Sequence, residues 1–93
     1  MALQGQFTAN GTSASVALPT NTSNDNFTLS LVGVTGSSAT ITLNRSYDNG
    51  TTWGKVSSYT ADAQDVGIEP DPGTLYQLVC TGYASGTIKY YLG

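Results

Sequence analysis

Ser46-Tyr47-Asp48-Asn49-Gly50-Thr51-Thr52-Trp53 is the stretch on which the reading of this chain turns. Its pattern, S-x-D-x-G-x-T-W, supplies each residue type that a tight β-turn needs. Asp48 and Asn49 accept local backbone hydrogen bonds and tolerate unusual φ, and Gly50 enters positive φ without a Cβ penalty. Thr51 and Thr52 lead into a strand, and Trp53 offers a large flat body that closes the turn from one side. Upstream, Ile41-Thr42-Leu43-Asn44-Arg45 alternates apolar and polar residues, and Val56 to Tyr59 downstream is again strand-like. The middle of the chain therefore reads as a β-hairpin with an ordered tip.

The same alternation extends outward in both directions. Leu3 to Ala9 reads as a first strand, and Asn10-Gly11 is a two-residue hairpin signal leading to a return strand over Thr12 to Leu18, ended by Pro19. After a polar loop from Thr20 to Asp25, Asn26 to Val34 reads as a strand with Phe27, Leu29 and Leu31 on one face. Val32 and Val34 change parity there, which predicts a bulge near Leu31-Val32 or local burial on both sides. Ser38 to Ser46 points Ala39, Ile41 and Leu43 inward. A fifth strand runs from about Thr52 to Thr60, Val66 and Ile68 add a short edge strand, and Glu69 to Gly73 is irregular. Thr74 to Gly82 and Thr87 to Leu92 complete the series, with Tyr76, Leu78 and Cys80 on one face and Ile88, Tyr90 and Leu92 on another. No window of helical length shows apolar spacing of three and four. The chain is expected to form one all-β domain over residues 1–93, a compact antiparallel β-sandwich or small barrel of seven to eight strands.

Composition narrows the partners. Charged residues make up 10% of the chain, against about 25% in an ordinary soluble domain. Arg45, Lys55 and Lys89 are the only basic side chains and the net charge is −3. That argues against nucleic acid, where affinity comes from phosphate neutralisation, and against a polybasic membrane contact. Cys80 has no cysteine to pair with and no histidine to activate it, so it reads as a small buried core residue. Met1-Ala2-Leu3-Gln4 reads as neither a basic nor an apolar leader, so synthesis in a cytoplasm is the expectation, and the N-x-S/T triplets at Asn10, Asn21, Asn26, Asn44 and Asn49 then read as by-products of composition.

No catalytic constellation stands out, and no cofactor is expected. Asp62, Asp65, Glu69 and Asp71 cluster in the irregular stretch from Ala61 to Gly73. Their spacing does not match a calcium loop and prolines intervene, so they read as a solvated acidic loop with no metal. Glycoside hydrolysis needs paired carboxylates across a cleft, and a domain this small offers little room for one. Among the six tyrosines, Tyr76 and Tyr90 fall at core positions. Tyr59, Tyr83 and Tyr91 fall outward or at turns and are the candidate partner contacts, since Tyr is enriched at protein interfaces.

Two resemblances complete the reading. Ser46 to Trp53 resembles the Asp-box of sialidase propellers and other β proteins, where it is a structural hairpin remote from catalysis. That resemblance implies turn geometry at Ser46, Asp48, Gly50, Thr52 and Trp53 and no enzyme activity, and a single copy excludes a propeller. More broadly, Phe27-Thr28-Leu29-Ser30-Leu31-Val32-Gly33, the run from Ala39 to Trp53, Glu69-Pro70 and the run from Leu75 to Tyr90 resemble small structural proteins of tailed bacteriophages. In scale the chain is similar to capsid decoration, or cement, proteins. The resemblance implies a non-enzymatic virion protein, assembled in the host cytoplasm. Its partners would be the major capsid protein and further copies of itself, with a trimer as the expected homo-oligomer. A carbohydrate- or receptor-binding module of a phage tail or fibre, using Tyr59, Tyr83 and Tyr91, is the alternative.

Overall fold

Alternation of apolar and polar side chains builds two layers. The structure, a computed structural model, describes residues 3–18, 26–69 and 73–93. Within them lie nine strands: β1 (Leu3–Phe7), β2 (Gly11–Thr12), β3 (Val16–Leu18), β4 (Asn26–Val32), β5 (Thr40–Ser46), β6 (Gly54–Tyr59), β7 (Ala63–Ile68), β8 (Thr74–Thr81) and β9 (Ile88–Leu92). One sheet has the order β1-β9-β4-β7. The other has the order β2-β8-β5-β6, with β3 also paired to β8. Every pairing is antiparallel. The architecture is a β-sandwich, and no helix occurs among the described residues.

The core is what the two inner faces share. Phe27, Leu29 and Leu31 of β4 and Ile88 and Leu92 of β9 meet Ile41 and Leu43 of β5 and Tyr76, Leu78 and Cys80 of β8. Adjacent strands therefore bury alternate residues, as period two requires. Cys80 sits in this layer, and its burial pushes the thiol up from its ordinary pKa. Both edge strands of the first sheet carry a glycine under an aromatic ring. A Cβ on Gly67 would lie 2.4 Å from the Phe27 ring opposite it, and one on Gly5 would lie 2.5 Å from the Tyr90 hydroxyl.

Three local expectations give way to longer-range pairing. Asn10-Gly11 does not close a hairpin: β1 pairs β9 in one sheet, whereas β2 pairs β8 in the other. The dipeptide instead carries the chain across the sandwich, and the Asn10 side chain accepts a hydrogen bond from the Tyr83 backbone N–H at 2.8 Å. The return strand is interrupted after Thr12. There the Ser13 hydroxyl accepts from Leu78 N at 2.9 Å and donates to Ala14 O at 2.8 Å. The parity change at Val32 and Val34 is a strand end rather than a bulge. Val32 is exposed, Gly33 turns the chain at φ 93°, and Val34 is buried beyond it. The bulge lies instead between β5 and β6, where Leu43 faces Ser57 but Asn44 faces Lys55, leaving Val56 as the extra residue. The loop from Thr20 to Asp25, Pro19 and the Pro70–Pro72 segment with Asp71 lie outside the described residues.

Gly33 allows a direct check of this end of the sheet. A Cβ there would lie 2.2 Å from the backbone oxygen of Thr87, in addition to forcing an L-residue to positive φ. Urea unfolding of Gly33→Ala is expected to show a loss of about 2–4 kcal/mol. Gly11→Ala, with nothing within 4 Å of the added Cβ, is expected to stay within about 1 kcal/mol of the parent.

Candidate functional site

The tip between β5 and β6 is a hydrogen-bonded unit built from its own short side chains. Ser46 is buried at the end of β5, where its hydroxyl donates to Asp48 Oδ1 at 2.7 Å and accepts from Gly50 N at 2.9 Å. Asp48 Oδ1 also accepts from Thr52 N at 2.8 Å. Asn49 and Gly50 take positive φ of 60° and 91°, the conformation that Asn and Gly adopt at least cost. Half-buried Trp53 closes the turn, with its ring 3.6 Å from where a Gly50 Cβ would stand. The backbone N–H of Thr52, with the Ser46 hydroxyl and Thr52 side chain adding to it, holds the Asp48 carboxyl down at about 2.

Beneath the tip lies a polar cluster that the reading of the sequence does not anticipate. Arg45 continues the inward parity of Ile41 and Leu43, and Glu69 follows β7 in the opposite sheet. Glu69 is 0% exposed, and its Oε1 lies 2.6 Å from the Arg45 terminal nitrogen and accepts from the Tyr76 hydroxyl at 2.7 Å. The Phe27 ring packs on Tyr76 with centroids 5.0 Å apart. The pair thus ties β5 and β8 of one sheet to the end of β7 in the other. Burial raises the Tyr76 pKa, and its hydrogen bond to Glu69 raises it further. Partial burial works against the Arg45 charge, and Tyr76 and Glu69 outweigh that, so the Arg45 pKa also rises. Arg45 Nε is buried without a hydrogen-bond partner among the described residues.

The solvated acidic loop is corrected at Glu69, whereas Asp62 and Asp65 are exposed as expected but hold hydrogen bonds within the chain. Glu69 is a buried anchor. Asp62 Oδ1 accepts the N–H groups of Gly33, Val34 and Thr35 at 2.9, 2.8 and 3.1 Å, a nest of consecutive amides that pulls its pKa down, Thr35 most strongly. Asp65 accepts from the Tyr59 hydroxyl at 2.9 Å. Sequence distance hides these partners, since each lies across a turn or a sheet. No group of three or more His, Cys, Asp or Glu among the described residues is arranged to hold a metal ion.

The candidate tyrosines separate. Tyr59 is half-buried against the core and pairs with Ile41, an inward residue, because the Val56 bulge reverses the parity counted from the turn. Tyr83 sits after β8 as a turn residue but packs back on the core, with its hydroxyl donating to Gly86 O. Tyr91 does face outward, opposite Ser30 on one side and Gln4 on the other. Tyr76 is buried and Tyr90 is half-buried against the core, as the alternation predicts.

Two surfaces remain for contact. One is the outer face of the first sheet. It presents Val66 and Ile68 of β7, 65% and 69% exposed, with Tyr91 and Val32 further along the same face. Thr28, Asn26, Gln4, Gln6 and the single cation Lys89 fill the spaces between. The other is a groove of about 510 Å³ beside the hairpin tip, lined by Arg45, Tyr47, Asp48, Thr52, Lys55 and Val56. Tyr47 missed selection from the sequence because it is a tip residue without strand parity. The signal for Arg45 was present: a cation at an inward strand position demands a buried anion.

No protein-family model, no curated protein and no solved structure matches the chain.

Two measurements check the cluster and the tip. Glu69→Gln is expected to lower stability by about 1.5–3 kcal/mol, because the half-buried Arg45 guanidinium loses its charged partner, whereas Tyr76→Phe is expected to cost about 1–2 kcal/mol. Asp48 is depressed in the folded state, so its contribution is complete above the ordinary carboxylate range and is lost as pH falls towards about 2. An NMR titration of the Asp48 carboxyl carbon should give a midpoint near that value, and Asp48→Asn should remove this part of the acid dependence of stability.

Proposed function

We propose that this is a non-enzymatic structural protein of a tailed-phage virion that decorates the capsid as an oligomer, with a trimer as the expected state. Adhesion is its mechanism: by binding only the assembled shell, many copies stabilise that state over dissociated subunits. The observation that carries the reading is the outer face of the β1-β9-β4-β7 sheet, with Val66 and Ile68 exposed beside uncharged polar residues. An almost uncharged sheet face costs little to desolvate, and exposed apolar side chains set among neutral polar ones suit a broad, flat contact. Tyr91 adds an aromatic to that face. Tyr59 and Tyr83 have hydroxyls engaged within the chain, which weakens the case for a tail or fibre module that binds through them.

The test is binding of the purified chain to empty heads lacking it, with copies per head counted by quantitative gel. Saturation at many copies, with a rise in the temperature at which the shell opens, is expected. Val66→Asp/Ile68→Asp should cut that binding by more than about tenfold while leaving the fold intact. Failure of the native chain to bind heads would overturn the proposal.

A further inference from the structure

The groove beside the hairpin tip has a different chemistry from the sheet face. Its volume of about 510 Å³ falls within the range of small-ligand sites, about 300–1,000 Å³. Arg45 and Lys55, two of the three basic residues of the chain, line it together with Asp48. Their charges do not count equally. Arg45 is matched by Glu69, whereas Lys55 has no ion pair among the described residues. Asp48 is ionised at any ordinary pH. A carboxylate accepts about four hydrogen bonds, and the tip supplies Asp48 with those from Ser46 and Thr52. The groove thus offers one uncompensated positive charge and one carboxylate with acceptor capacity left over.

Tyr47 lines the same groove. It is 67% exposed, and the Arg45 guanidinium carbon is 4.3 Å from its ring centre. The guanidinium supports one face of the ring and leaves most of the aromatic surface to solvent. The frame around it is fixed in advance. The Ser46–Asp48 bonds hold the tip, Glu69 holds Arg45, and the bulge residue Val56 lines the groove beside Lys55. Preorganisation of this kind lowers the entropy cost of binding.

We infer that this groove binds an acidic saccharide, a pyranose ring bearing one carboxylate, as in a hexuronate. The ring's C–H face stacks on Tyr47, the carboxylate meets Lys55, and hydroxyls donate to Asp48. The three groups select against other chemistries. A neutral sugar leaves Lys55 without a partner, and a phosphate monoester concentrates two negative charges on one group beside Asp48, whereas a uronate carries one per ring. A purely apolar ligand leaves both charges desolvated and unpaired. The inference is independent of capsid binding, since it uses the hairpin of one sheet and not the outer face of the other.

The test is an NMR titration of the isotope-labelled full chain with digalacturonate, with its methyl-esterified form as the neutral control. Amides of the Arg45–Val56 hairpin are expected to shift with digalacturonate. Esterification is expected to weaken binding about tenfold, and raised salt to weaken the acid form alone. Tyr47→Ala is expected to weaken binding by about tenfold and Lys55→Gln by about fivefold. Both residues are exposed, so both variants should keep the parent's unfolding midpoint. Val66→Asp/Ile68→Asp should bind digalacturonate as the parent does. No amide shift at millimolar digalacturonate, equal binding of the neutral ester, or unaltered binding by both groove variants would each overturn the inference.

Discussion

The ion pair between Arg45 and Glu69 is the constraint that fixes one end of the two-layer arrangement. A carboxylate with no exposure is costly to bury, and the cost is offset only when charge and hydrogen bonds meet it at close range. Here the guanidinium and the Tyr76 hydroxyl both reach the same carboxylate oxygen. Their geometry fixes the position of β7's end against β5 and β8, and so sets how the two sheets lie on each other at that end. The Phe27–Tyr76 ring contact lies next to the pair and links the polar cluster to the apolar core. Above it, the same guanidinium supports Tyr47. One cation thus serves the interior and the surface together.

Low charge makes this pair more prominent than it would be in an ordinary domain. With so few ionisable groups, nearly every described acid has a structural role: Asp48 closes the tip, Asp62 gathers the amides after β4, Asp65 takes the Tyr59 hydroxyl and Glu69 joins the sheets. Each turns a loop or edge into a fixed element through hydrogen bonds to a charged acceptor, the stronger kind. The rest of the described surface is mostly Thr, Ser, Asn, Gln and scattered aliphatics, with Lys55, Lys89 and Tyr47 among them. A surface of that kind binds by shape and desolvation more than by long-range attraction.

Much of this fold was legible in the sequence, and the reason is local. The alternation in Asn26–Val32, Thr40–Ser46, Thr74–Thr81 and Ile88–Leu92 reports burial directly, because side chains on a strand change face at every residue. The hairpin around Asp48 was legible because its hydrogen bonds join residues within a few positions. What escaped depends on partners far along the chain. Asn10-Gly11 carries a strong local turn signal, but β9 and β8 claim the strands on either side of it. The extra residue Val56 is invisible in composition, yet it turns Tyr59 inward. Glu69 reads as a loop acid beside two prolines until Arg45, Tyr76 and the sheet packing bring it inside. The outward Tyr91 was found by parity, whereas Tyr47, which has no parity to count, needed the structure.

The most direct test of the central claim is a double-mutant cycle on Arg45→Met and Glu69→Met, with stability measured by urea unfolding. If the pair joins the sheets as described, Arg45→Met strands the buried Glu69 carboxylate and Glu69→Met leaves the half-buried Arg45 guanidinium without its partner. The double variant should then be less destabilised than the sum of the two by about 2 kcal/mol or more. Additivity of the two changes within about 0.5 kcal/mol would contradict the account, because it would mean that Arg45 and Glu69 do not depend on each other.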